Sequence, residues 1–261
     1  MHKALWVGKT GLEAQDIALA TISNNLANAS STGFKKERAV FEDLIYQVQR
    51  QPGAQSSQNT QLPSGLQLGT GVRTVGTQKQ FTQGDLNTTE QPLDMAINGR
   101  GFFQILMPDG NIAYTRDGTF HLDAEGNIVT ANGYLLEPNI TVPDQTTTVT
   151  VGRDGIVTAV SAGETDPQEI GNIDLVDFVN PAGLQAVGNN LYLETAASGT
   201  PAEGVASLDG FGSIIQGALE TSNVTIVEEM VDMISTQRAY EMNSKVVSTA
   251  DQMLGFITSN L

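Results

Sequence analysis

The chain has no cysteine, which excludes disulfides, thiolate metal sites and thiol nucleophiles. Histidine is nearly absent too, because only His2 and His121 occur in 261 residues, so a metal site built from several histidines is not expected. Aromatic residues make up only 6% of the sequence. Glycine is plentiful, with 27 residues, and this composition is typical of short strands joined by tight turns.

Basic residues are scarcer than acidic residues. The chain has 13 Lys and Arg against 29 Asp and Glu, which gives a formal net charge of −16. Such a surface repels phosphate backbones and anionic lipids, so we expect no nucleic-acid partner. The imbalance is concentrated in residues 101–220, which contain 16 acidic residues and only two basic ones, Arg116 and Arg153.

Long apolar runs are missing. No stretch approaches the roughly 18 to 20 apolar residues that a membrane-spanning helix needs, so membrane insertion is not expected. The N-terminal sequence MHKALWVGKTGLEAQ has a short apolar patch, but Lys9 and Glu13 interrupt it before the apolar core of a signal peptide is complete. We therefore expect no cleaved signal peptide, while export by another route stays open.

Catalytic motifs are also missing, since the sequence contains no G-x-S-x-G, no P-loop and no H-E-x-x-H. His121 falls in a predicted strand, where a structural or exposed role is expected. Asp123 and Glu125 precede Gly126 without the ladder of acidic ligands that a calcium loop requires, so we predict an ordinary turn there. The sequence predicts no catalytic residue, no metal site and no cofactor.

Both ends of the chain have helical periodicity. No proline occurs before Pro52, and the C-terminal segment has an apolar spacing near 3.6, with Ser222 or Asn223 as its predicted N-cap and two glutamates in its first turn. The predicted packing positions are Leu5, Leu12, Leu19, Ile22 and Leu26 at one end and Val227, Val231, Ile234, Met242, Val246, Met253 and Phe256 at the other.

These end helices need partner surfaces, because short isolated helices are marginal in water. Two interpretations are open from the periodicity alone. Both helices pack on a central globule, or they pair with each other and with neighbouring copies of the chain.

The middle of the chain has the pattern of β structure. Turn dipeptides recur at Asp109-Gly110, Asp117-Gly118, Glu125-Gly126 and Asn132-Gly133, and alternating stretches lie between them. This spacing predicts a meander of short antiparallel strands.

Residues 47–73 differ from the rest in being rich in Gln, Ser, Gly and Pro, without any Asp, Glu or Lys. A low-complexity linker is the usual interpretation of such a stretch. However, Leu62, Leu66, Leu68 and Val72 are spaced well enough to dock on another surface.

The stretch ATISNNLANASSTGFKKERAVFEDLIYQ, residues 20–47, closely resembles the signature of bacterial flagellar rod and hook proteins. The C-terminal segment ETSNVTIVEEMVDMISTQRAYEMNSKVVSTADQML and the central block INGRGFFQILMPDGNIAYTRDGTFHLDAEGNIVTANGY resemble the other two blocks of that family, in the family order. The signature residues in this chain are Ser23, Asn25, Ala27, Asn28, Thr32, Gly33, Phe34 and Lys35.

The resemblance implies an α+β fold, with paired N- and C-terminal coiled-coil helices and a mainly antiparallel β central domain. We expect residues 1–30 and 223–261 to form the helical domain. Residues 31–75 form a connecting region that includes an extended strap at about 47–73, and residues 76–222 form a β-rich outer domain.

The resemblance also implies a structural axial subunit without catalytic activity or cofactor. Copies stack helically into a hollow rod that crosses the periplasm, and the terminal helices line the export channel. Implied partners are other copies of the chain, proximal rod proteins, the hook protein, the L- and P-ring proteins, the rod cap and the flagellar type III export apparatus. The acidic middle is expected to face the rings.

Within the family, the length and the insert favour the distal rod. We call residues 47–73 the strap and expect it to pack on adjacent subunits and stiffen the rod. Its predicted residues are Pro52, Gly53, Leu62, Pro63, Leu66, Leu68 and Val72.

Several alternatives stay open. The chain is a proximal rod or short hook subunit of the same family, or a secreted acidic β-rich adhesin, which the Asp-Gly turns alone would allow. The basic cluster of Lys35, Lys36 and Arg38 is either a solvated face or a partner for acidic groups of a neighbouring subunit.

Overall fold

The computed structural model describes residues 2–53, 55–57, 60–61, 63–163 and 166–259. Its residues fall into two compact units. The helical unit comprises the described parts of residues 1–27, 37–78 and 225–261, and the β unit comprises those of residues 28–36 and 79–224. The predicted connecting region, residues 31–75, is therefore divided between the units.

The helical unit contains two long helices, α1 (His2–Ala27) and α2 (Ile226–Ser259). Glu228 and Glu229 lie in the first turn of α2, where the helix dipole stabilises negatively charged side chains. The predicted N-cap was wrong, because α2 begins at Ile226 and the N–H of Glu229 donates to the carbonyl of Thr225. Asn223, one of the two predicted caps, uses its side chain elsewhere and accepts from the N–H of Lys36 at 2.7 Å.

Six strands complete the helical unit and occupy most of the predicted connecting region. Strand β1 pairs with β6, β2 with β5 and β3 with β4, and the β2–β5 register sets Gln47 opposite Leu68. The described part of the strap is therefore a paired hairpin, and the interpretation as a linker was wrong. The strands are β1 (Glu37–Asp43), β2 (Gln47–Arg50), β3 (Gln55–Ser57), β4 (Thr60–Gln61), β5 (Leu66–Leu68) and β6 (Val72–Lys79).

The β unit consists of short strands around two clusters of buried side chains. They are β7 (Leu86–Thr88), β8 (Met95–Asn98), β9 (Phe103–Leu106), β10 (Ile112–Thr115), β11 (Phe120–Leu122), β12 (Ile128–Thr130), β13 (Leu135–Glu137), β14 (Thr146–Val151), β15 (Ile156–Ser161), β16 (Gln168–Asn172), β17 (Asp174–Asp177), β18 (Gln185–Gly188), β19 (Leu191–Leu193), β20 (Ala202–Val205), β21 (Ser213–Gln216) and β22 (Ala218–Glu220).

The largest sheet has the strand order β11-β12-β13-β9-β10-β19-β18. A second sheet has the order β14-β15-β16, and the pairs β17–β20, β21–β8 and β22–β7 complete the unit. Every strand pair whose register the structure gives is antiparallel. Helices at both ends and an antiparallel β region between them confirm the predicted α+β class.

The predicted meander is only partly correct. Asp109-Gly110, Glu125-Gly126 and Asn132-Gly133 do join neighbouring strands of the large sheet. Asp117-Gly118 instead joins β10 to β11, which are not neighbours in that sheet. The two strands do not form a hairpin there because the carbonyl of Gly118 accepts a hydrogen bond from the N–H of Met95, at the start of β8.

Aromatic side chains define the smaller of the two buried clusters. Phe102, Tyr114, Phe178 and Tyr192 are all buried, and Phe81 packs against them. The rings of Tyr114 and Phe178 meet edge to face with their centroids 4.8 Å apart, a favourable geometry for aromatic pairs.

Candidate functional site

The helices α1 and α2 pair antiparallel within the helical unit. Near the start of α1, Gly8 lies against Val247, whereas near its end Asn25 contacts Glu229. Residue numbers thus fall along α2 as they rise along α1. We call the line of contact between the two helices the seam.

Glycine brings the two helices unusually close. A Cβ atom on Gly8 would lie 2.7 Å from Cγ2 of Val247, and one on Gly11 would lie 3.1 Å from Nδ2 of Asn243. Both distances are shorter than the roughly 3.5–4.0 Å of an optimal non-bonded contact. A side chain at Gly8 would therefore force the helices to shift, and one at Gly11 would require the side chain of Asn243 to move.

The α2 side of the seam is built largely from small and polar residues. Its least exposed positions recur at steps of three and four, as a helix contact requires. They are Glu229, Met233, Thr236, Ala239, Asn243, Val247, Ala250 and Leu254. The prediction of packing positions followed a different line of large apolar residues and missed this set, although its spacing was visible in the sequence.

Asn25 ties three segments of the helical unit together. It is 1% exposed, and its Nδ2 donates to Oε2 of Glu229 at 3.1 Å and to the carbonyl of Glu37 at 2.8 Å. Its Oδ1 accepts from the N–H of Glu37 at 2.9 Å. This signature residue therefore fixes the end of α1 against the starts of β1 and α2.

The predicted packing positions of α2 lie away from the seam. The seven predicted positions from Val227 to Phe256 are between 49% and 72% exposed. We call them the α2 stripe. The predicted positions on α1 are half-buried, and these are Leu5, Leu12, Leu19, Ile22 and Leu26.

The second half of the signature lies in the β unit. Gly33 has a φ of +67°, and a Cβ there would lie 2.7 Å from the backbone nitrogen of Asp117, so only glycine fits. Phe34 is buried, and the carbonyl of Thr32 accepts from Nδ2 of Asn190 at 2.8 Å. Asn28 is half-buried and accepts from the hydroxyl of Ser31, whereas Ser23 and Ala27, in the helical unit, are exposed.

Lys35 is fully buried, so both interpretations of it as a surface residue were wrong. Its Nζ donates to Oε1 of Glu220 at 2.6 Å and to the carbonyl of Thr82 at 2.8 Å. The same carboxylate oxygen accepts from the N–H of Gly84 at 2.9 Å. Sequence spacing gave no sign of this pair, because its members are 185 positions apart.

Arg116 is the second cation on the same carboxylate. Its Nη1 lies 3.3 Å from Oε2 of Glu220, and its Nη2 donates to the carbonyl of Gly99 at 2.7 Å. Burial lowers the pKa of Lys35 and of Arg116, and the carboxylate of Glu220 opposes the shift in both. We call Lys35, Arg116 and Glu220 the buried ion cluster.

The strap residues lie mostly on the surface. Leu66 is 49% exposed and Leu68 is 39% exposed, whereas Val72 is half-buried. Leu62 lies outside the described residues. The remaining predicted strap residues are exposed, and they are Pro52, Gly53 and Pro63.

The residues that the sequence offered as candidates for catalysis or metal binding, His121 and the turn at Asp123, lie in a surface strand and in an ordinary turn. His121 is exposed on β11, and the N–H of Gly126 donates to the carbonyl of Asp123 at 3.0 Å, which confirms the predicted turn. In the described part of the chain, no group of three or more His, Cys, Asp or Glu is placed to hold a metal ion. Among the described residues, no helix has the length and apolarity that a membrane span requires.

Known proteins match this chain along its length. Family models match residues 5–35 (Flagella basal body rod protein), 96–159 (Flagellar hook protein FlgE/F/G D1 domain) and 215–261 (Flagellar basal body rod FlgEFG protein C-terminal). The flagellar basal-body rod protein FlgG of Buchnera aphidicola subsp. Schizaphis graminum is 56% identical over 254 residues, which cover 97% of this chain and 98% of the relative. This chain belongs to the flagellar basal-body rod protein family.

More distant relatives in the family cover the chain equally well. FlgG of Borreliella burgdorferi is 47% identical over 100% of this chain and 99% of its own length. FlgG of Bacillus subtilis is 36% identical over 97% of each chain. Flagellar rod proteins are structural proteins of the basal body that assemble with each other and with other basal-body components. Membership in this family overturns the alternative of a secreted adhesin.

Proposed function

We propose that this chain is the axial subunit of the distal rod. Copies assemble helically into a hollow, rigid rod that transmits motor torque to the hook and lines the export channel. The observation that carries this proposal is the α2 stripe, because an exposed apolar line on a long helix needs a partner surface. A different face of α2 forms the seam with α1, so the stripe remains for contacts with other copies.

The geometry of the stripe favours an open polymer. The stripe runs along one helix, and we propose that it packs on a different surface of the neighbouring copy rather than on that copy's own α2 stripe. Contacts between unlike surfaces are heterologous, and they generate helical filaments when the rotation does not close a ring. A hollow rod is such a filament.

The strap supports the distal position within the rod. Its strands β2 and β5 form a hairpin whose Leu66 and Leu68 remain exposed on a single chain. We propose that these side chains pack on adjacent subunits and stiffen the rod, so that it turns without bending as a hook does.

The acidic middle segment supports an outward location. Residues 101–220 carry most of the net negative charge and belong to the β unit. We propose that this surface faces the bore of the L- and P-rings, with proximal rod proteins below, the hook protein above and the rod cap at the growing end. Export proceeds through the flagellar type III apparatus without a cleaved signal peptide, and the protein has no enzymatic activity.

Electron microscopy of basal bodies from a strain that lacks this chain tests the assignment. We expect rods that stop short in the periplasm, without an outer ring or a hook. Restoring the chain from a plasmid should restore complete rods. Complete rods and hooks in the deletion strain would contradict the distal-rod function, and a loss of the whole rod would indicate a proximal subunit.

Charge placed on the α2 stripe should abolish assembly. In the variant Ile234→Glu/Val246→Glu, each subunit contact would bury unpaired carboxylates, which cost several kcal/mol apiece. We expect cells without rods and without motility, while far-ultraviolet circular dichroism of the purified chain is unchanged because neither residue is buried in the seam. The control Gln237→Glu/Ser248→Glu adds the same charge at exposed positions of α2 outside the stripe. Motility of the stripe variant equal to that of the control would disprove the role of the stripe.

A further inference from the structure

A shallow apolar groove lies in the helical unit where the first turns of α1 meet the strap hairpin. It is lined by Trp6 and Val7 of α1 and by Leu68 at the end of β5, with Lys3 and Gln47 at its edge. We call it the Trp6 groove. Its volume of about 270 Å³ is below the range of roughly 300–1,000 Å³ that is usual for small-molecule sites, so it suits a few protruding side chains better than a bound metabolite.

The Trp6 groove exposes apolar surface that a single chain leaves uncovered. Trp6, the only tryptophan in the sequence, is 55% exposed, and Val7 is 41% exposed. Aromatic side chains in such pockets are typical anchors of protein–protein contacts.

A second apolar surface lies at the opposite end of the helix pair. Ile226, Val227, Met230 and Val231 all lie in the first two turns of α2, and each is at least 49% exposed. We call these four residues the Met230 patch. Because the helices are antiparallel, the Met230 patch lies near the end of α1 and the Trp6 groove near its start.

The two surfaces carry opposite charges. Lys3 lies at the edge of the groove, and its Nζ donates a hydrogen bond to the neutral side-chain oxygen of Gln47. The strap on the other side of the groove, residues 47–73, contains no acidic residue. The same two turns of α2 carry the exposed carboxylates of Glu228 and Asp232, and no basic residue occurs between Thr221 and Gln237. Apolar surfaces that lie in regions of opposite charge are complementary.

We propose that the Met230 patch of one copy docks in the Trp6 groove of the next copy along the rod. This inference rests on the proposed function and assigns the axial contact of the polymer to the N-terminal end of the α2 stripe, whose Val227 and Val231 are also part of the Met230 patch. The rest of the stripe is left for other contacts. The contact joins two unlike surfaces at opposite ends of one unit, so it repeats from copy to copy without closing.

The contact cannot form within one chain. The pairing of Gly8 with Val247 and of Asn25 with Glu229 sets Met230 beside the end of α1. At a rise of 1.5 Å per residue, Val7 and Met230 are then roughly 25 Å apart along the helix axis. A disulfide needs Cα atoms within about 7 Å, so a bond between cysteines at these positions must join two copies.

The absence of native cysteine makes the test direct. The full-length variant Val7→Cys/Met230→Cys is produced in motile cells, and isolated rods are oxidised and run on non-reducing gels. We expect the monomer band to be replaced by a ladder of covalent multimers that collapses on reduction. Each single-cysteine variant should give nothing larger than a dimer.

The control pair Val7→Cys/Met242→Cys moves the second cysteine to the middle of the α2 stripe. An offset of roughly 9 Å along the axis and an interhelix distance of about 8–10 Å exclude an intrachain bond there too. Assembled rods with a ladder only in the control, or with no ladder in either pair, would overturn the axial contact and leave the rod function intact. Failure of the cysteine-free parent chain to form rods would instead refute the proposed function.

A charge reversal gives an independent readout if the cysteines themselves prevent assembly. Lys3→Glu should reduce motility, and Asp232→Lys added to it should restore motility by reversing the pair. Lys3→Glu with Ser248→Lys is the matched control, in which no restoration is expected. Absence of rescue in the Lys3→Glu/Asp232→Lys variant, or equal rescue in its control, would count against the proposed contact.

Discussion

Glu220→Gln should lower the free energy of unfolding of the β unit by about 3–5 kcal/mol, which is the usual cost of breaking a buried ion pair. Glu220 is fully buried and is the carboxylate shared by Lys35 and Arg116, so its removal leaves two buried cations without their counter-charge. The amide of glutamine cannot supply that charge. Urea unfolding of the full chain, followed by near-ultraviolet circular dichroism of the buried tyrosines in the β unit, measures the effect.

The control for this prediction is an exposed ion pair. Arg73 and Glu42 lie 2.9 Å apart with both side chains more than half exposed, so Glu42→Gln should cost at most about 1 kcal/mol. Adding Lys35→Met to Glu220→Gln removes one stranded cation, and the double variant should recover part of the lost stability. A loss for Glu220→Gln no larger than that for Glu42→Gln would show that the buried ion cluster contributes little.

Gly8→Leu should separate the helix pair and abolish rod assembly. The added Cβ alone would approach Cγ2 of Val247 to 2.7 Å, and valine has little rotamer freedom in a helix with which to move away. Overpacking of this kind costs about 1–3 kcal/mol, which is large for one seam between two helices. Faster amide hydrogen exchange in both helices of the purified chain, together with loss of motility, is the expected result.

The matched control uses the same substitution at a glycine outside the seam. An added Cβ at Gly255 of α2 meets no atom within 4 Å. Leucine has a higher helix propensity than glycine, so Gly255→Leu should leave α2 intact or stabilise it slightly. Amide exchange in Gly8→Leu that matches the exchange in Gly255→Leu would mean that the close approach of the helices is not required.

The parts of the fold that depend on local patterns were predictable. Helices at both ends follow from apolar spacing, and the turns at Asp109-Gly110 and Glu125-Gly126 follow from the conformational preferences of their residues. The exposed stripe of α2 was also visible as a spacing, although periodicity did not say that it would lie away from α1. The periodicity identified an apolar face of α2 but did not say which surface packs against that face.

The parts that depend on long-range contacts were not predictable from spacing. Lys35 looked like a member of a surface cluster, because nothing near it in sequence marks Glu220 as its partner. Asp117-Gly118 looked like another hairpin turn, but its direction is set by a hydrogen bond to Met95. The composition of the strap suggested a linker, and its strand pairing depends on register across an interval of about twenty residues.

The division of the sequence between the two units has a consequence for the order in which they can fold. The helical unit requires segments from both ends, because the seam on α1 is completed only by residues 225–261. A chain that emerges N-terminus first, from a ribosome or from a narrow conduit, has every residue of the β unit once Val224 has emerged. The helical unit must wait for the final segment, so the surfaces that we propose to join subunits cannot mature on a chain still in transit.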